Sequence, residues 1–333
     1  MVLEIYPRTV FDIYNKIKMN YPKDVDDACE EIYKACKGLG TDEDSLVKIL
    51  GPRSSRDRML ISLRYKEKFN KDLLELVRGE TSGDFGFLLR LIVMTLPQAE
   101  AYILNKACKG VGTTENLIYP IIVGRPAAEL DILKKAYFEK YNEDLAVMLN
   151  GELSGDFKQV IMSALQSTVV EFKSSFHTKQ KAEEDAQLLY KAGEGKWGTD
   201  EKSFVKILLS SPPEYVKMMD DAYTAKYGHG LVKAIHGEFS GTAKDALDYF
   251  VRITLEPFKL LAEVIEGAMK GIGTDEQSLS AHLVRYHKYQ DKIDPIYREK
   301  YKISLRERVH GEVGGNYRDL LLHVIDAPVS HVA

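Results

Sequence analysis

The chain has 333 residues, of which 44% are hydrophobic and 29% charged, so it is long enough to bury a substantial core. Its formal net charge of −4 excludes the basic excess that proteins use to neutralise nucleic-acid phosphates or anionic lipid headgroups. Three cysteines, none in a CxxC pattern, favour small buried or half-buried thiols in a reducing compartment. No nucleic-acid partner is expected, and contact with an acidic membrane would need a positive charge from another source.

The hydropathy pattern contains neither a leader peptide nor a membrane span. The first twenty residues alternate apolar with charged side chains, unlike the continuous apolar stretch of a signal peptide. The longest apolar run, residues 88–96, is interrupted by Arg90 and is far shorter than the ~20 residues that a membrane-crossing helix needs. These patterns predict a soluble, cytoplasmic protein.

The first 23 residues contain Pro7 and Pro22 and have no sustained helical periodicity. We expect a short arm that lies on the body of the protein. Two interpretations of it stay open, a plain surface tail and a segment that binds a cytoskeletal or other protein partner.

From Asp24 onward, apolar residues recur at the spacing of amphipathic helices. Five helices are predicted up to residue 96, and no segment has the alternation of a strand. We expect Thr41 to cap the second helix, Gly51-Pro52 to end it, and residues 85–96 to form the fifth helix. The pattern therefore predicts an all-α protein.

The same order of helices and loops recurs three more times, each time around a short glycine loop. The four loops are Lys37-Gly38-Leu39-Gly40-Thr41, Lys109-Gly110-Val111-Gly112-Thr113, Gly195-Lys196-Trp197-Gly198-Thr199 and Lys270-Gly271-Ile272-Gly273-Thr274. Their second glycines are 72, 86 and 75 residues apart, which indicates duplicated units. The predicted organisation is an arm (1–23), repeat I (24–96), repeat II (97–168), a linker with the start of repeat III (169–184), repeat III (185–255), repeat IV (256–327) and a tail (328–333).

A glutamate follows each loop at a nearly constant distance. Glu80, Glu152 and Glu238 come 40 residues after the second glycine of their loops, and Glu312 comes 39 residues after it. Calcium binds ~6–8 oxygens and commonly combines backbone carbonyls with one bidentate carboxylate. A glycine loop at a helix end exposes about three carbonyls. With the glutamate this makes about five ligands, and the open positions could take water or a lipid phosphate.

Other interpretations of the loop are possible. A glycine followed by a threonine also builds an ordinary corner between two helices, and the glutamate could serve the dipole of the next helix. A nucleotide site is disfavoured because the loop lacks a third glycine and the GK[ST] sequence of a P-loop. The histidines form no zinc pattern, and no catalytic set can be assembled from the spacing.

Four units of about 70 residues with K-G-x-G-T-D-E, a helix, and G-E-x-S-G some 40 residues later resemble the annexins. The resemblance covers residues 24 to 327. It implies four five-helix repeats that form a curved disc with the loops on its convex face. It also implies reversible, calcium-dependent binding to anionic phospholipid membranes, with the protein peripheral to the membrane when calcium is present. Self-assembly on membranes would be a further property.

The resemblance also implies the calcium ligands, which are backbone carbonyls and one glutamate carboxylate in each repeat. The principal ligands would be Cys36, Gly38, Gly40 and Glu80; Cys108, Gly110, Gly112 and Glu152; Gly193, Lys196, Gly198 and Glu238; and Met269, Gly271, Gly273 and Glu312. Weaker secondary sites would use Thr41 with Glu43 and Thr274 with Glu276. Trp197, the single tryptophan, is expected to enter the headgroup region of the membrane.

Some positions depart from this pattern. The fourth repeat is one residue short around residues 287–294, Gly314 replaces Ser or Thr, and Thr114 replaces Asp. Repeats I, II and IV have an arginine at a matching position, whereas repeat III has Ser211, which puts the interior ion pairing of that repeat in doubt.

The resulting hypothesis is a calcium-dependent phospholipid-binding protein without catalytic residues. Two alternatives are carried forward. The chain could be an annexin-like enzyme, active in nucleotide hydrolysis or as a peroxidase, or a calcium-independent helical scaffold for cytoskeletal partners.

Overall fold

The computed structural model describes residues 3–15, 19–37, 40–110, 112–166, 171–195 and 198–329. Within these ranges the regular structure is helical and no strand occurs, which confirms the predicted all-α class. The first helix, α1 (Arg8–Tyr14), lies in the arm, where the sequence pattern had indicated no sustained helix.

Each predicted repeat contains five α-helices. In repeat I these are α2 (Lys23–Ala35), α3 (Glu43–Leu50), α4 (Ser55–Phe69), α5 (Leu73–Glu80) and α6 (Gly83–Val93). In repeat II they are α7 (Leu96–Cys108), α8 (Glu115–Ile122), α9 (Ala127–Tyr141), α10 (Leu145–Glu152) and α11 (Gly155–Gln166). In repeat III they are α12 (Lys179–Ala192), α13 (Glu201–Leu209), α14 (Pro213–Tyr227), α15 (Leu231–Glu238) and α16 (Gly241–Leu255). In repeat IV they are α17 (Pro257–Gly267), α18 (Glu276–Tyr286), α19 (Gln290–Tyr301), α20 (Leu305–Glu312) and α21 (Gly315–Asp326), with a short 3₁₀ turn at His287–Tyr289.

The fifth helix ends earlier than predicted. α6 stops at Val93, and Met94 has an extended backbone with ψ 156°. Pro97 explains the break, because its ring would clash with the carbonyl of Val93 in a continued helix but fits the first turn of a new one. The Thr95 N–H donates to the side chain of Gln98 at 3.1 Å at the start of α7.

The prediction that Thr41 caps α3 is wrong. Asp42 is the cap, and its carboxylate accepts the Ser45 N–H at 3.0 Å. The same aspartate–serine pair caps α13 and α18, whereas α8 follows Thr114 without a side-chain cap. A carboxylate two or three residues before free helix N–H groups is a better acceptor than a hydroxyl, and the threonine side chain is engaged elsewhere.

The helices form two compact units. One unit comprises Met1–Glu4 and Ala101–Leu260, and the other comprises Ile5–Glu100 and Leu261–Ala333. In the first unit, which contains most of repeats II and III, α16 packs against α8 and α11. In the second, which contains most of repeats I and IV, α6 packs against α18 and α21. Two repeats therefore share each core.

The arm contributes to the core of the second unit. Ile5, Tyr6 and Val10 are at most 3% exposed. The Tyr6 hydroxyl donates to Glu100 at 2.5 Å, and this fully buried carboxylate also pairs with Arg285 at 2.7 Å. Removal of one member of a buried ion pair typically costs about 3–5 kcal/mol because the other charge is left uncompensated. These residues of the arm are part of the folded body and do not form a loose tail.

Two buried histidines make the stability of the fold dependent on pH. Burial and Arg285 lower the pKa of His282 to about 3, and burial and Arg58 lower that of His287 to about 4. Both are neutral in the folded protein but titrate near pH ~6.5 in the unfolded chain. The unfolded chain therefore binds more protons below that pH, so the free energy of unfolding should fall as the pH drops from about 6.5 to about 4. The slope is up to ~1.4 kcal/mol per pH unit for each histidine.

Urea unfolding at several pH values checks this prediction. His287→Gln keeps a donor for the Ala327 carbonyl, which the ring of His287 contacts at 3.0 Å, but it cannot titrate. Its stability should depend less on pH than that of the wild type, whereas His310→Gln, a change at an exposed position, should retain the full slope. Equal slopes for wild type and His287→Gln would contradict the prediction.

Candidate functional site

The four loops share one backbone conformation at their second glycine. Gly40, Gly112, Gly198 and Gly273 have φ values of 87°, 81°, 81° and 85°, in the left-handed region that other residues rarely adopt. The glycine at this position is therefore required by the turn itself.

A backbone hydrogen bond closes each loop. The N–H of the residue after the loop threonine donates to the carbonyl of an alanine that precedes the loop. The pairs are Asp42 with Ala35 (3.0 Å), Thr114 with Ala107 (2.9 Å), Asp200 with Ala192 (2.6 Å) and Asp275 with Ala268 (2.8 Å). The third loop is one residue longer than the others within the same closure, in agreement with its longer sequence.

The distant glutamates reach these loops. Thr41 donates its hydroxyl hydrogen bond to the Glu80 carboxylate, Thr199 donates to Glu238 at 2.6 Å, and Thr274 donates to Glu312 at 2.7 Å. This is the contact that occupies the threonine in place of helix capping. It joins the end of α5, α15 or α20 to a loop about 40 residues earlier in the chain.

Each glutamate is the last residue of its helix. Glu80, Glu152, Glu238 and Glu312 end α5, α10, α15 and α20, and the next helix begins three residues later. A negative charge at a helix C-terminus is unfavourable by roughly 0.3–1 kcal/mol, because the carbonyl ends already carry partial negative charge. Each glutamate is therefore unfavourably placed with respect to the dipole of its own helix, and its carboxylate bonds to a side chain of the loop.

The residues expected to supply the first carbonyl ligand lie beside these carboxylates. Burial raises the pKa of the Cys36 thiol to about 11, and the Glu80 carboxylate adds to the increase. Burial and Glu152 raise the pKa of Cys108 to about 12 in the same way. Gly193 lies so close to Glu238 that a β-carbon on this glycine would come within 2.8 Å of Glu238 Cγ.

In the second repeat a lysine of the loop contacts the glutamate. Lys109 Nζ lies 3.2 Å from Glu152 and 3.7 Å from Glu143. The Lys109 side chain is 44% exposed, so this contact is screened by water and is weak.

The fourth repeat keeps the contact between loop and glutamate despite its missing residue. The 3₁₀ turn at His287–Tyr289 joins α18 directly to α19, within the region where the sequence placed the loss. The Thr274–Glu312 hydrogen bond is formed, so the shortening is absorbed away from the loop.

An arginine that the sequence analysis missed fills part of the fourth site. The Arg308 guanidinium donates to the Glu312 carboxylate through Nη1 and to the Met269 carbonyl at 2.6 Å through Nη2. Its Nε lies 3.4 Å from Glu266. Thr274 and Arg308 together lower the pKa of Glu312. Two of the four calcium ligands predicted for this repeat, the Met269 carbonyl and the Glu312 carboxylate, are therefore already bonded to a cationic side chain.

The matching positions of the other repeats are apolar. Four residues before the glutamate stand Leu76, Met148 and Ala234, where repeat IV has Arg308. Alignment of the four L-x₆-E helices would have singled out this arginine as the one basic residue at its position.

The secondary sites are less clearly formed. The Glu43 carboxylate accepts a hydrogen bond from the Asn316 amide at 3.0 Å. The Thr41 carbonyl accepts the Glu43 N–H at 3.1 Å. In the fourth repeat, Tyr317 donates to the backbone carbonyl of Glu276 at 2.9 Å. These groups already have protein partners.

Several predicted site residues cannot be placed. Gly38, Lys196 and Trp197 lie outside the described residues.

Five of the predicted loop glycines are exposed, namely Gly110, Gly112, Gly198, Gly271 and Gly273. Between the last two, Ile272 is fully exposed and presents an apolar side chain at the tip of the fourth loop.

At the matching arginine positions a buried ion pair is formed in repeats II and IV, whereas Arg53 of repeat I donates to the Ile49 carbonyl. Arg125 pairs with Glu129 at 2.6 Å, and both side chains are almost fully buried. At the matching position of repeat III, the Ser211 hydroxyl donates to the Ile207 carbonyl at 2.7 Å. A satisfied hydroxyl thus replaces an ion pair at that position.

Side chains alone do not form a metal site in the part of the chain that the structure describes. No three His, Cys, Asp or Glu residues converge there in a way that could hold a metal ion. Any bound cation in the loops would depend on backbone carbonyls. In the same ranges no helix has both the length and the apolar character needed to cross a membrane.

The contact between Gly193 and Glu238 leads to a stability prediction. Gly193→Ala should force the glutamate away from the third loop and lower the free energy of unfolding by about 1–3 kcal/mol. Gly237→Ala in the same repeat is the matched control, because a β-carbon there meets nothing within 4 Å. That change should leave stability equal or raise it by up to ~1 kcal/mol. Urea unfolding of both variants tests this, and equal effects would contradict the prediction.

Comparison with known proteins agrees with the repeated architecture. The family model described as Annexin matches residues 26–92, 99–164, 184–248 and 261–324. The chain is 34% identical to annexin A13 of Mus musculus over 303 residues, which cover 91% of the chain and 95% of that protein. It is 34% identical to annexin A7 of Dictyostelium discoideum over 89% of the chain, but it spans only 64% of that relative. The structure of annexin III superposes with a TM-score of 0.84 at 31% identity and covers 93% of the chain and 95% of annexin III. The chain belongs to the annexin family.

Proposed function

We propose that this protein binds anionic phospholipid membranes reversibly through calcium ions held by its first three loops. Calcium-dependent binding to phospholipid is characteristic of annexins. The observation that carries the proposal for this chain is the contact between each loop and a distant glutamate at a helix end.

The donors present fit calcium. Glu80 with the carbonyls of Cys36 and Gly40 would hold the ion in repeat I, and the matching residues would do so in repeats II and III. Oxygen donors of this kind suit a hard cation that accepts irregular geometry. In repeats I and III the hydrogen bond from the loop threonine keeps the carboxylate at the loop beforehand, which reduces the ordering cost of binding.

The charge of such a site explains how an acidic protein could reach an acidic membrane. One carboxylate and several neutral carbonyls leave a bound Ca²⁺ with net positive charge, which attracts a lipid phosphate to the open positions. Exposed Ile272, together with its sequence counterparts Leu39, Val111 and Trp197, would then meet the headgroup region. The protein would be cytoplasmic at low calcium and peripheral to the membrane when calcium rises.

In the fourth repeat, we infer that Arg308 takes the place of the calcium ion at the principal site. The guanidinium already neutralises Glu312 and binds the Met269 carbonyl. Calcium would have to displace a cation that is tethered to the same helix and also paired with Glu266. In repeat II, by contrast, the Lys109 side chain is 44% exposed and its ion pair is screened by water, so its displacement would cost little. The fourth loop would meet the membrane through Ile272 without its own principal calcium ion.

The two alternative functions gain no specific support. Apolar arm residues that a cytoskeletal partner could bind, such as Tyr6 and Val10, are buried in the protein itself. No observation favours nucleotide hydrolysis or peroxidase activity. Self-assembly on membranes stays a prediction.

Vesicle co-sedimentation tests the main proposal. Wild type should sediment with phosphatidylserine vesicles in calcium and stay in the supernatant with a chelator. The double variant Glu80→Gln with Glu238→Gln should need roughly tenfold more calcium or more, because each loss of a carboxylate ligand costs on the order of 1.4 kcal/mol. The matched control is Glu75→Gln, an exposed glutamate on α5. Binding that ignores both calcium and the double substitution would refute the proposal.

Calcium titration with a soluble short-chain phosphatidylserine tests the role of Arg308. Glu80→Gln should lower the number of bound calcium ions by one, whereas Glu312→Gln should leave it unchanged. Arg308→Met, which copies Met148 of repeat II, should raise it by one. Arg306→Met removes the same charge from the same helix, where Arg306 pairs with Asp326 at an exposed position, and should have no effect.

A second measurement on the same variants needs no lipid. Without calcium, Arg308→Met should melt at a lower temperature than wild type, because the carboxylate of Glu312 loses its counter-ion. Added calcium should restore the melting temperature of this variant more than that of wild type. If Glu312→Gln lowers the calcium stoichiometry of the wild-type protein, the fourth site binds calcium and Arg308 is displaced.

A further inference from the structure

The second unit contains a cavity that is lined by apolar and basic residues and has no residue of the calcium loops. It lies between the arm, α4, α6, α18 and α21 and is partly open to solvent, and the centre of a water-sized sphere can occupy about 60 Å³ of it. Its walls are mainly apolar, with Ile5, Val10, Met59, Leu91 and Val324 among them. This space is several times the ~10–15 Å³ that a single water needs.

The charged residues around this cavity are all basic. Arg56, Arg58, Arg285 and Lys288 line it, and no acidic residue does so in the described part of the chain. Arg285 is neutralised by its buried pair with Glu100 at 2.7 Å. The basic character of the cavity therefore depends mainly on Arg56 and Arg58.

Arg58 is the unusual member of this set. It is only 3% exposed, yet among the described residues it pairs with no carboxylate, and its Nε only approaches the Ser54 carbonyl at 3.4 Å. The neighbouring Asp57 instead accepts the Ser54 hydroxyl at 2.7 Å. Burial lowers the pKa of Arg58 to about 10 although the nearby charge of Asp57 partly opposes the shift, so the guanidinium is still charged at neutral pH. A buried charge without a counter-ion is costly, and an anion would relieve that cost.

Two buried hydroxyls line the same cavity. Thr9 of the arm and Thr95 at the start of α7 are less than a tenth exposed. Within the ranges described, neither Oγ1 has a hydrogen-bond partner. Such unsatisfied groups are rare in protein interiors and mark places where a ligand or water completes the structure. Together with Arg58 they supply hydrogen-bond donors inside an apolar space.

We propose that this cavity binds a small anionic amphiphile, with its apolar chain between the arm and α6 and its single anionic head on Arg58. The chemistry of the head is that of a carboxylate or a phosphate monoester, both of which accept hydrogen bonds from a guanidinium. No residue of the cavity belongs to the glycine loops or their glutamates, so this site is independent of calcium.

Isothermal titration with three ligands of one chain length tests the proposal. Dodecanoate, dodecyl phosphate and dodecanol are compared below their micelle concentrations, with a chelator present. At least one anion should bind wild type with one-to-one stoichiometry and at least about tenfold more tightly than the alcohol. The anion that binds more tightly identifies the head. Equal affinity for the alcohol and the anions, or no binding of either anion, would overturn the proposal.

Substitution of the cation locates the site. Arg58→Met should weaken binding of the anion at least about tenfold and leave that of dodecanol unchanged. The matched control is Arg78→Met, a 71% exposed arginine of the same repeat. Because the substitution removes an uncompensated charge, the ligand-free variant should be at least as stable as wild type in urea. Unchanged anion affinity in Arg58→Met would overturn the proposal.

A second variant covers the case in which Arg58→Met does not fold. Thr9→Val keeps the shape of the side chain and removes one unpartnered hydroxyl, so it should fold normally. It should lower the affinity for the anion by several-fold. If Arg58→Met cannot be measured and Thr9→Val binds the anion as tightly as wild type, the proposal is overturned. Failure of calcium-dependent membrane binding would leave these results untouched.

Discussion

The hydrogen-bonded meeting of a glycine loop with a distant glutamate is the interaction around which each repeat is arranged. In repeats I, III and IV, a threonine at the end of the loop holds the glutamate of a helix that begins some 30 residues later. The glutamate ends its helix, where its charge opposes the dipole. The unfavourable charge at each helix end costs some stability. A bound cation would offset that cost because it supplies the missing positive charge.

The fourth repeat illustrates the same requirement in another way. Its carboxylate and carbonyl face Arg308, a cation supplied by the chain. The second repeat is intermediate, because Lys109 pairs with Glu152 at 3.2 Å from an exposed position where water screens the contact. Each repeat thus brings a glutamate carboxylate close to its loop, but the side chain cation beside it differs. It is Arg308 in repeat IV and Lys109 in repeat II. The cation of the fourth repeat stands at a helix position that is apolar in the other three repeats.

Buried arginines in the second unit show how strongly a charge depends on its immediate partners. Arg285 and Glu100 form a fully buried pair, and Tyr6 of the arm hydrogen-bonds the same carboxylate, so the arm is tied to the interior. Arg58 is almost as deeply buried but faces a cavity instead of a carboxylate. The first arrangement is complete within the chain, and the second would be completed by the anion that we propose.

The sequence by itself determined the all-α class, the four repeats, the glycine loops and the glutamates that belong to them. These features follow from periodicity and spacing, which are local or duplicated and can be compared within one chain. Only the tertiary structure decided that Asp42 and not Thr41 caps α3, because the role of Thr41 depends on Glu80, 39 residues away. It likewise decided that Arg308 reaches Met269 and that Arg58 lacks a counter-ion. Such roles depend on which side chains meet across the packed helices, and a pattern along the chain does not contain that information.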